Sequence, residues 1–187
     1  MNMYNNECCC SCGIKSGLCI IDMIKEFIES TKLVITCGSI EGEIKDDKYP
    51  DFLLVETTQE KPNKYICIDD INYIEIIPKE NSYLSILNIL NMNYQIPLFL
   101  ETPCEENCCC KFSAIRFMQD KYKQTEDEKK KFNIRFKGIK INDGEASYEV
   151  LEDIYVVYLD YDIVWLRNRE NTRLYIASLC NICLLAD

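Results

Sequence analysis

The chain has 187 residues, enough to bury a sizeable core as one domain or two small ones. Its apolar share of 48% excludes wholesale disorder, and its net charge of -10 disfavours generic binding to phosphate backbones. There is no histidine, which excludes a Ser-His-Asp or Cys-His catalytic pair and any His-ligated metal site.

Thirteen cysteines, by contrast, are enough for cysteine chemistry to govern fold or assembly. The number is odd, so at least one thiol is free, metal-bound or joined to another chain. Residues 1–7 carry neither a basic nor an apolar stretch, so no signal peptide is expected, and no run reaches the length of a membrane span. Cysteine content of this kind suits an oxidising compartment, while the absent export signal suits a reducing one.

Taken in order, residues 1–17 form a cysteine-rich segment holding Cys8, Cys9, Cys10 and Cys12. The Gly13-Ile14-Lys15-Ser16-Gly17 stretch that follows lacks the spacing of a phosphate loop. Over 18–30, Ile20, Met23, Ile24, Phe27 and Ile28 recur at helical spacing with Asp22, Lys25, Glu26 and Glu29 opposite, which predicts an amphipathic helix. From Thr31 the period changes. Strands are expected at 33–36, 40–44, 51–56, 65–68 and 71–77, with a break at Asp69-Asp70. Five short strands joined by short turns predict a small barrel, so 18–78 reads as a helix plus a first β-barrel.

Residues 79–131 read as a connector. A short helix is expected near 84–90 and an extended stretch at 94–100, where Pro97 suits an edge. A second cluster follows at Cys104, Cys108, Cys109 and Cys110, then a stretch to Met118 that is either a hairpin arm or a helix, then the highly charged 119–131. Residues 132–187 are strand-rich again. The run 134–141 alternates, Asn142-Asp143-Gly144 is a hairpin turn signal, and 148–159 is a long strand. Asp162-Ile163-Val164-Trp165-Leu166 aligns with Asp51-Phe52-Leu53-Leu54-Val55, and Cys180-Asn181-Ile182-Cys183 with Ile71-Asn72-Tyr73-Ile74, provided the loop at 168–172 is shorter. The fold expected is therefore mainly β with an N-terminal helix, as two small SH3/Sm-like barrel modules related by internal duplication.

That alignment divides the cysteines. Cys180 and Cys183 fall at positions that should face a core, and Cys67 lies between Ile66 and Ile68, so these three read as core cysteines. The triplets lie among Asn and Glu with no apolar period, so packing does not explain them. Neighbouring cysteines do not readily pair with each other, because adjacent Cα atoms are about 3.8 Å apart and relaxed disulfides need about 4.4 Å or more. Cys8, Cys9, Cys10, Cys12, Cys104, Cys108, Cys109 and Cys110 are thus candidates for cross-linking other chains or for binding metal. Cys9-x-x-Cys12 with Cys180-x-x-Cys183 would match a four-thiolate zinc site, and copper(I) is the other fitting ion. No cofactor is otherwise implied, and no arrangement of carboxylates suggests an enzyme.

Residues 31–78 resemble the Sm-like or SH3-like barrels in their bent second strand after a glycine, the acidic residue opening the third strand and the tight break before the fifth. The segment Gly17-Leu18-Cys19-Ile20-Ile21-Asp22-Met23-Ile24 is similar to the N-terminal Cys-x-x-Asp-x-[Val/Ile] helix of the coat Y/Z type proteins. Together with the cysteine runs, it resembles the cysteine-rich coat and exosporium proteins of endospore-forming Firmicutes. The resemblance implies a sporulation protein made in the mother-cell cytoplasm and oxidised at the spore surface. Its partners would be itself and other cysteine-rich coat proteins, with no nucleic acid or membrane. A thiolate metal-binding protein and an Sm-like adaptor or nucleic-acid-binding module are the alternatives, with a cytoplasmic location.

Overall fold

A computed structural model describes residues 14–36, 38–46, 52–56, 64–93, 109–138, 140–142, 145–159 and 163–186. The fold is mainly β and antiparallel, with an N-terminal helix, as expected. Helix α1 (Ile14–Ile24) leads through a 3-10 turn (Lys25–Phe27) into β1 (Ile28–Ile35), β2 (Gly38–Glu41), β3 (Glu43–Asp46), β4 (Phe52–Glu56) and β5 (Lys64–Cys67). A second 3-10 turn (Ile68–Asp70) precedes β6 (Ile71–Pro78). Helices α2 (Tyr83–Asn93), α3 (Cys109–Lys123) and α4 (Asp127–Lys130) follow. The last third contains β7 (Phe132–Phe136), β8 (Lys140–Asn142), β9 (Glu145–Ser147), β10 (Val150–Leu159), β11 (Ile163–Arg167) and β12 (Leu174–Ser178). A third 3-10 turn (Leu179–Asn181) leads into β13 (Ile182–Ala186). No helix among the described residues is long and apolar enough to cross a membrane.

Helical periodicity across 18–30 overstated the first helix. Ile28 leaves it to pair with Pro78, because β1 is recruited along its whole length by β6. The expected strand 134–141 is divided into β7 and β8. The hairpin signal holds, since β8 and β9 pair Asn142 with Glu145.

Among the described residues two separate barrels are not found, and no closed barrel is present. Eight strands instead form one sheet in the order β13-β7-β10-β11-β12-β6-β1-β2, and β3-β4-β5 form a second sheet. Only Gly42 separates β2 from β3. A Cβ there would lie 2.5 Å from the Glu56 carbonyl oxygen, so the backbones cross too closely for any other residue. With β2 and β3 taken as one bent strand, the ladder runs β6-β1-β2/β3-β4-β5 in the first half and β13-β7-β10-β11-β12 in the second. Both follow the same chain order: last strand, first, bent second, third, fourth. β10 is bent likewise, pairing with β7 over its first part and with β11 over its last, with Asp153 at φ 49 in the register shift of the first part, between Leu151 and Ile154.

The match extends to details. In both halves a three-residue 3-10 turn joins fourth strand to fifth. The fifth strand then bulges by one residue against the first, at Asn72 in β6 and at Cys183 in β13. Thr36 N donates to Asp70 O at 2.9 Å, and Lys137 N donates to Asn181 O at 2.7 Å. Phe52 thus stands where Ile163 does, Cys67 where Ser178 does, and Ile71 where Ile182 does, at one constant spacing. The loop at 168–172 is not shortened, and Cys183 corresponds to Asn72 rather than to Ile74.

The central strands are buried on both faces, which explains their unbroken apolar runs. On one face Ile163, Trp165, Leu174 and Ile176 join Ile71, Ile74, Ile76 and residues of α1 and α2 in one core. On the other, Val164, Leu166, Tyr175 and Ala177 join Tyr73, Phe132, Phe136 and Met118 of α3 in a second. The first core draws on both halves, as α1 itself packs on β11 and β12.

Candidate functional site

The two halves are joined by β12 and β6. They pair antiparallel with Leu174 opposite Ile76, Tyr175 opposite Glu75, Ile176 opposite Ile74, and Ala177 opposite Tyr73. Every residue of β12 is buried, and so are the first six of β6. Polar contacts reinforce the seam. Asn168 Oδ1 accepts from the N–H groups of Thr172 and Arg173 at 3.0 Å each, and this pinned turn presents Arg173 to the buried carboxylate of Glu75 at 2.7 Å. Asn181 Nδ2 donates across the seam to the Ile71 carbonyl at 2.5 Å.

Tyr73 reaches into the second core, 5.1 Å from the Phe136 ring and edge-on to Tyr175 at 5.7 Å. Its hydroxyl donates to Glu149 Oε1 at 2.6 Å. Burial first, then that carboxylate, push its phenol far above the ordinary tyrosine range. Burial also pushes Tyr175 up. The next residues along the two strands, Ser178 and Asn72, are polar and buried, and Ser178 Oγ and Asn72 Oδ1 have no hydrogen-bond partner among the described residues. Buried polar atoms without partners are uncommon, so this end of the seam gains little from its polar pair.

The matching edges of the other two strands lie at the ends of the ladder. β5 pairs only with β4, and β13 only with β7, among the described residues. Here two of the three cysteines expected to be core residues, Cys67 and Cys183, are found outside it. Cys183 is exposed, and its Sγ lies 3.4 Å from both Arg135 Nε, which donates to it, and the Phe136 carbonyl, which accepts from it. The reason is the edge: Asn72, at the matching bulge of β6, is buried between β1 and β12, whereas Cys183 lies on an end strand that pairs on one side only among the described residues. Cys67, at the end of β5, is half-buried. Both thiols are free. Cys180 lies in the third 3-10 turn, and Cys109 and Cys110 open α3, settling the hairpin-or-helix choice there in favour of helix. Cys8, Cys9, Cys10, Cys12, Cys104 and Cys108 lie outside the described residues, as does the extended stretch expected at 94–100. Among the described residues no three Cys, Asp or Glu side chains converge as a metal site would need.

A cavity of about 440 Å³ lies between α1, β1 and the β2/β3 bend, lined among others by Asp22, Lys25, Lys32, Glu43 and Glu75. Three of these charges are paired: Lys25 with Glu43, and Glu75 with Arg173. Lys25 holds the Glu43 carboxyl below the usual carboxylate range. The first pair fastens the 3-10 turn after α1 to the bend, and the second fastens β6 to the turn before β12.

Comparison with protein-family models, with curated proteins and with solved structures gave no match.

Proposed function

We propose that this chain is a structural, self-associating protein whose cysteines link copies to one another, in the manner of the cysteine-rich coat and exosporium proteins its sequence resembles. The observation that carries this reading is where the described thiols sit. Cys67 and Cys183 are free, and each lies on a terminal strand of the ladder rather than in a core. Thiols so placed are open to another chain. The triplets, set in polar stretches, extend the same chemistry. We also infer that the halves are modules derived from one duplicated unit. The common strand order, bent second strand, 3-10 turn and fifth-strand bulge support this, and the bend and turn are the features behind the Sm-like and SH3-like likeness.

Purified reduced protein, once oxidised, should give a ladder of multimers on non-reducing gels and a larger particle in solution, both reversed by reductant. Changing Cys8, Cys9 and Cys10, or Cys108, Cys109 and Cys110, to serine should thin that ladder. Protein that stays monomeric when oxidised overturns the reading.

A further inference from the structure

The seam inside the chain indicates what would cover its ends. β12 is the fourth strand of the second half and β6 the fifth strand of the first, and they meet edge to edge. Their counterparts, β5 and β13, are the fourth strand of the first half and the fifth of the second. Each lacks a strand on its outer side among the described residues. The side chains match this arrangement. Tyr65 of β5 is 54% exposed where its counterpart Ile176 is 0% exposed, and Leu184 of β13 is 46% exposed where Tyr73 is 4% exposed. Each terminal strand therefore presents a large apolar side chain at a place that its counterpart buries.

We propose that β5 of one copy pairs antiparallel with β13 of a second copy, in the register that β12 and β6 use within the chain, and that a disulfide between Cys67 and Cys183 closes the junction. This rests on the self-association reading and specifies its interface. The register puts Tyr65 opposite Leu185 and Ile66 opposite Leu184. One step on, where the internal seam has Ser178 and Asn72, it puts Cys67 opposite Cys183. Opposed residues of an antiparallel pair have Cα atoms about 4.5–5.5 Å apart, inside the about 4.4–6.8 Å that a disulfide spans. The junction lacks polar contacts of the internal seam: Ala186 stands where Glu75 makes its ion pair, and Asp70 stands where Asn181 donates. The covalent bond takes their place. Because the contact is head-to-tail, it repeats from copy to copy until a ring closes or a filament extends.

The oxidant is a low-molecular-weight disulfide. One protein thiolate attacks it, giving a mixed disulfide and releasing one small thiol. The opposing protein thiolate attacks the mixed disulfide and releases the second. Two protein thiols lose two electrons and two protons, and the small disulfide becomes two thiols.

The test mixes reduced protein of natural isotopic composition with 15N-labelled protein and oxidises the mixture with glutathione disulfide. Unreacted thiols are then blocked, and peptides are mapped by mass spectrometry without reduction. A Cys67–Cys183 peptide with one light and one heavy half, in about half of the copies, is the expected result. Absence of that peptide, or pairs of one isotope only, overturns the proposal. If the gel ladder persists without it, the self-association reading stands and only this junction falls. In reduced protein, Tyr65→Lys and Leu184→Lys, each at an exposed site, should keep the circular dichroism spectrum and weaken association at least tenfold in sedimentation. Mixed together they should form a dimer that neither forms alone, because one intact β5 edge and one intact β13 edge remain. Association unchanged in both variants overturns the edge pairing.

Discussion

β6 and β12 meet inside the eight-stranded sheet, whereas β13 ends that sheet and β5 ends the three-stranded sheet that continues it past the β2/β3 bend, although the four strands occupy matching places in the two halves. The inner pair is uniformly apolar apart from Glu75, with its fixed cation, and Asn72 and Ser178. The outer pair has no fully buried residue, with exposed Lys64 and Tyr65 on one strand and exposed Cys183 and Leu184 on the other. The difference lies in how each edge is held. Burial and an ion pair hold the inner one permanently, while the outer one offers thiols whose bond depends on redox conditions.

The sharpest break in that comparison comes from truncating one residue at matched positions. Ile176→Ala should lose about 3 kcal/mol of stability, because it leaves a cavity at a fully buried site between the halves. Tyr65→Ala, its counterpart at the end, should change stability by no more than about 0.5 kcal/mol. Urea titrations of the reduced protein measure both. Equal losses would mean that the outer edge is packed in the isolated chain.

Arg173→Ala comes next, at about 2 kcal/mol. It strands the Glu75 carboxylate, which is 7% exposed, without its cation at the seam. Arg173→Ala together with Glu75→Leu should recover most of the loss, since Leu fills the buried Glu75 site at similar volume without a charge. A loss that stays at about 2 kcal/mol in the double variant would locate the role of Arg173 elsewhere.

Tyr73 gives the seam a pH signature that the ends lack. Its phenol is raised in the folded state, so the stabilisation is complete below the unfolded value near 10 and declines as pH rises above it, where the unfolded chain ionises first. Each such group contributes a slope of up to about 1.4 kcal/mol per pH unit. Tyr73→Phe should therefore flatten the loss of stability between about pH 10 and 11, leaving the smaller share of Tyr175. An unchanged slope would remove Tyr73 from the account.

Much of the strand content could be read from the chain because alternation and β-branched runs carry it directly, as at Phe132, Ile134 and Phe136. The match of Phe52 with Ile163 was legible for the same reason. The seam was not. Residues 71–76 and 163–166 read alike whether they are covered by their own half or by the other, since burial on both faces erases the alternation that would mark an edge. The cysteine placement fails at two steps. By residue type Cys180 and Cys183 align with Ile71 and Ile74, but the 3-10 turn brings Ile182 to the place of Ile71 and Cys183 to that of Asn72, two positions away. That place is buried in β6 and exposed in β13, because β6 lies between two strands and β13 ends the ladder, and nothing in the residue types marks which of the two is the edge.

The smallest effect tests the bend that lets β4 and β5 leave the main sheet. Glu43 is held below its ordinary value chiefly by its hydrogen bond to Lys25, so the pair's contribution is present above the unfolded carboxylate value and fades as pH falls through the lower folded one. Both side chains are well exposed, so screening keeps the contribution within about 0.5 kcal/mol. Lys25→Met should thus shift the urea midpoint slightly at pH 7, with the shift vanishing as acid protonates Glu43, or at pH 7 in 1 M salt. A shift that survives acid and salt would trace instead to packing of the Lys25 stem in the cleft. In that case the turn after α1 would hold the bend by contact rather than by charge, and the position of the β5 edge would be insensitive to ionic strength.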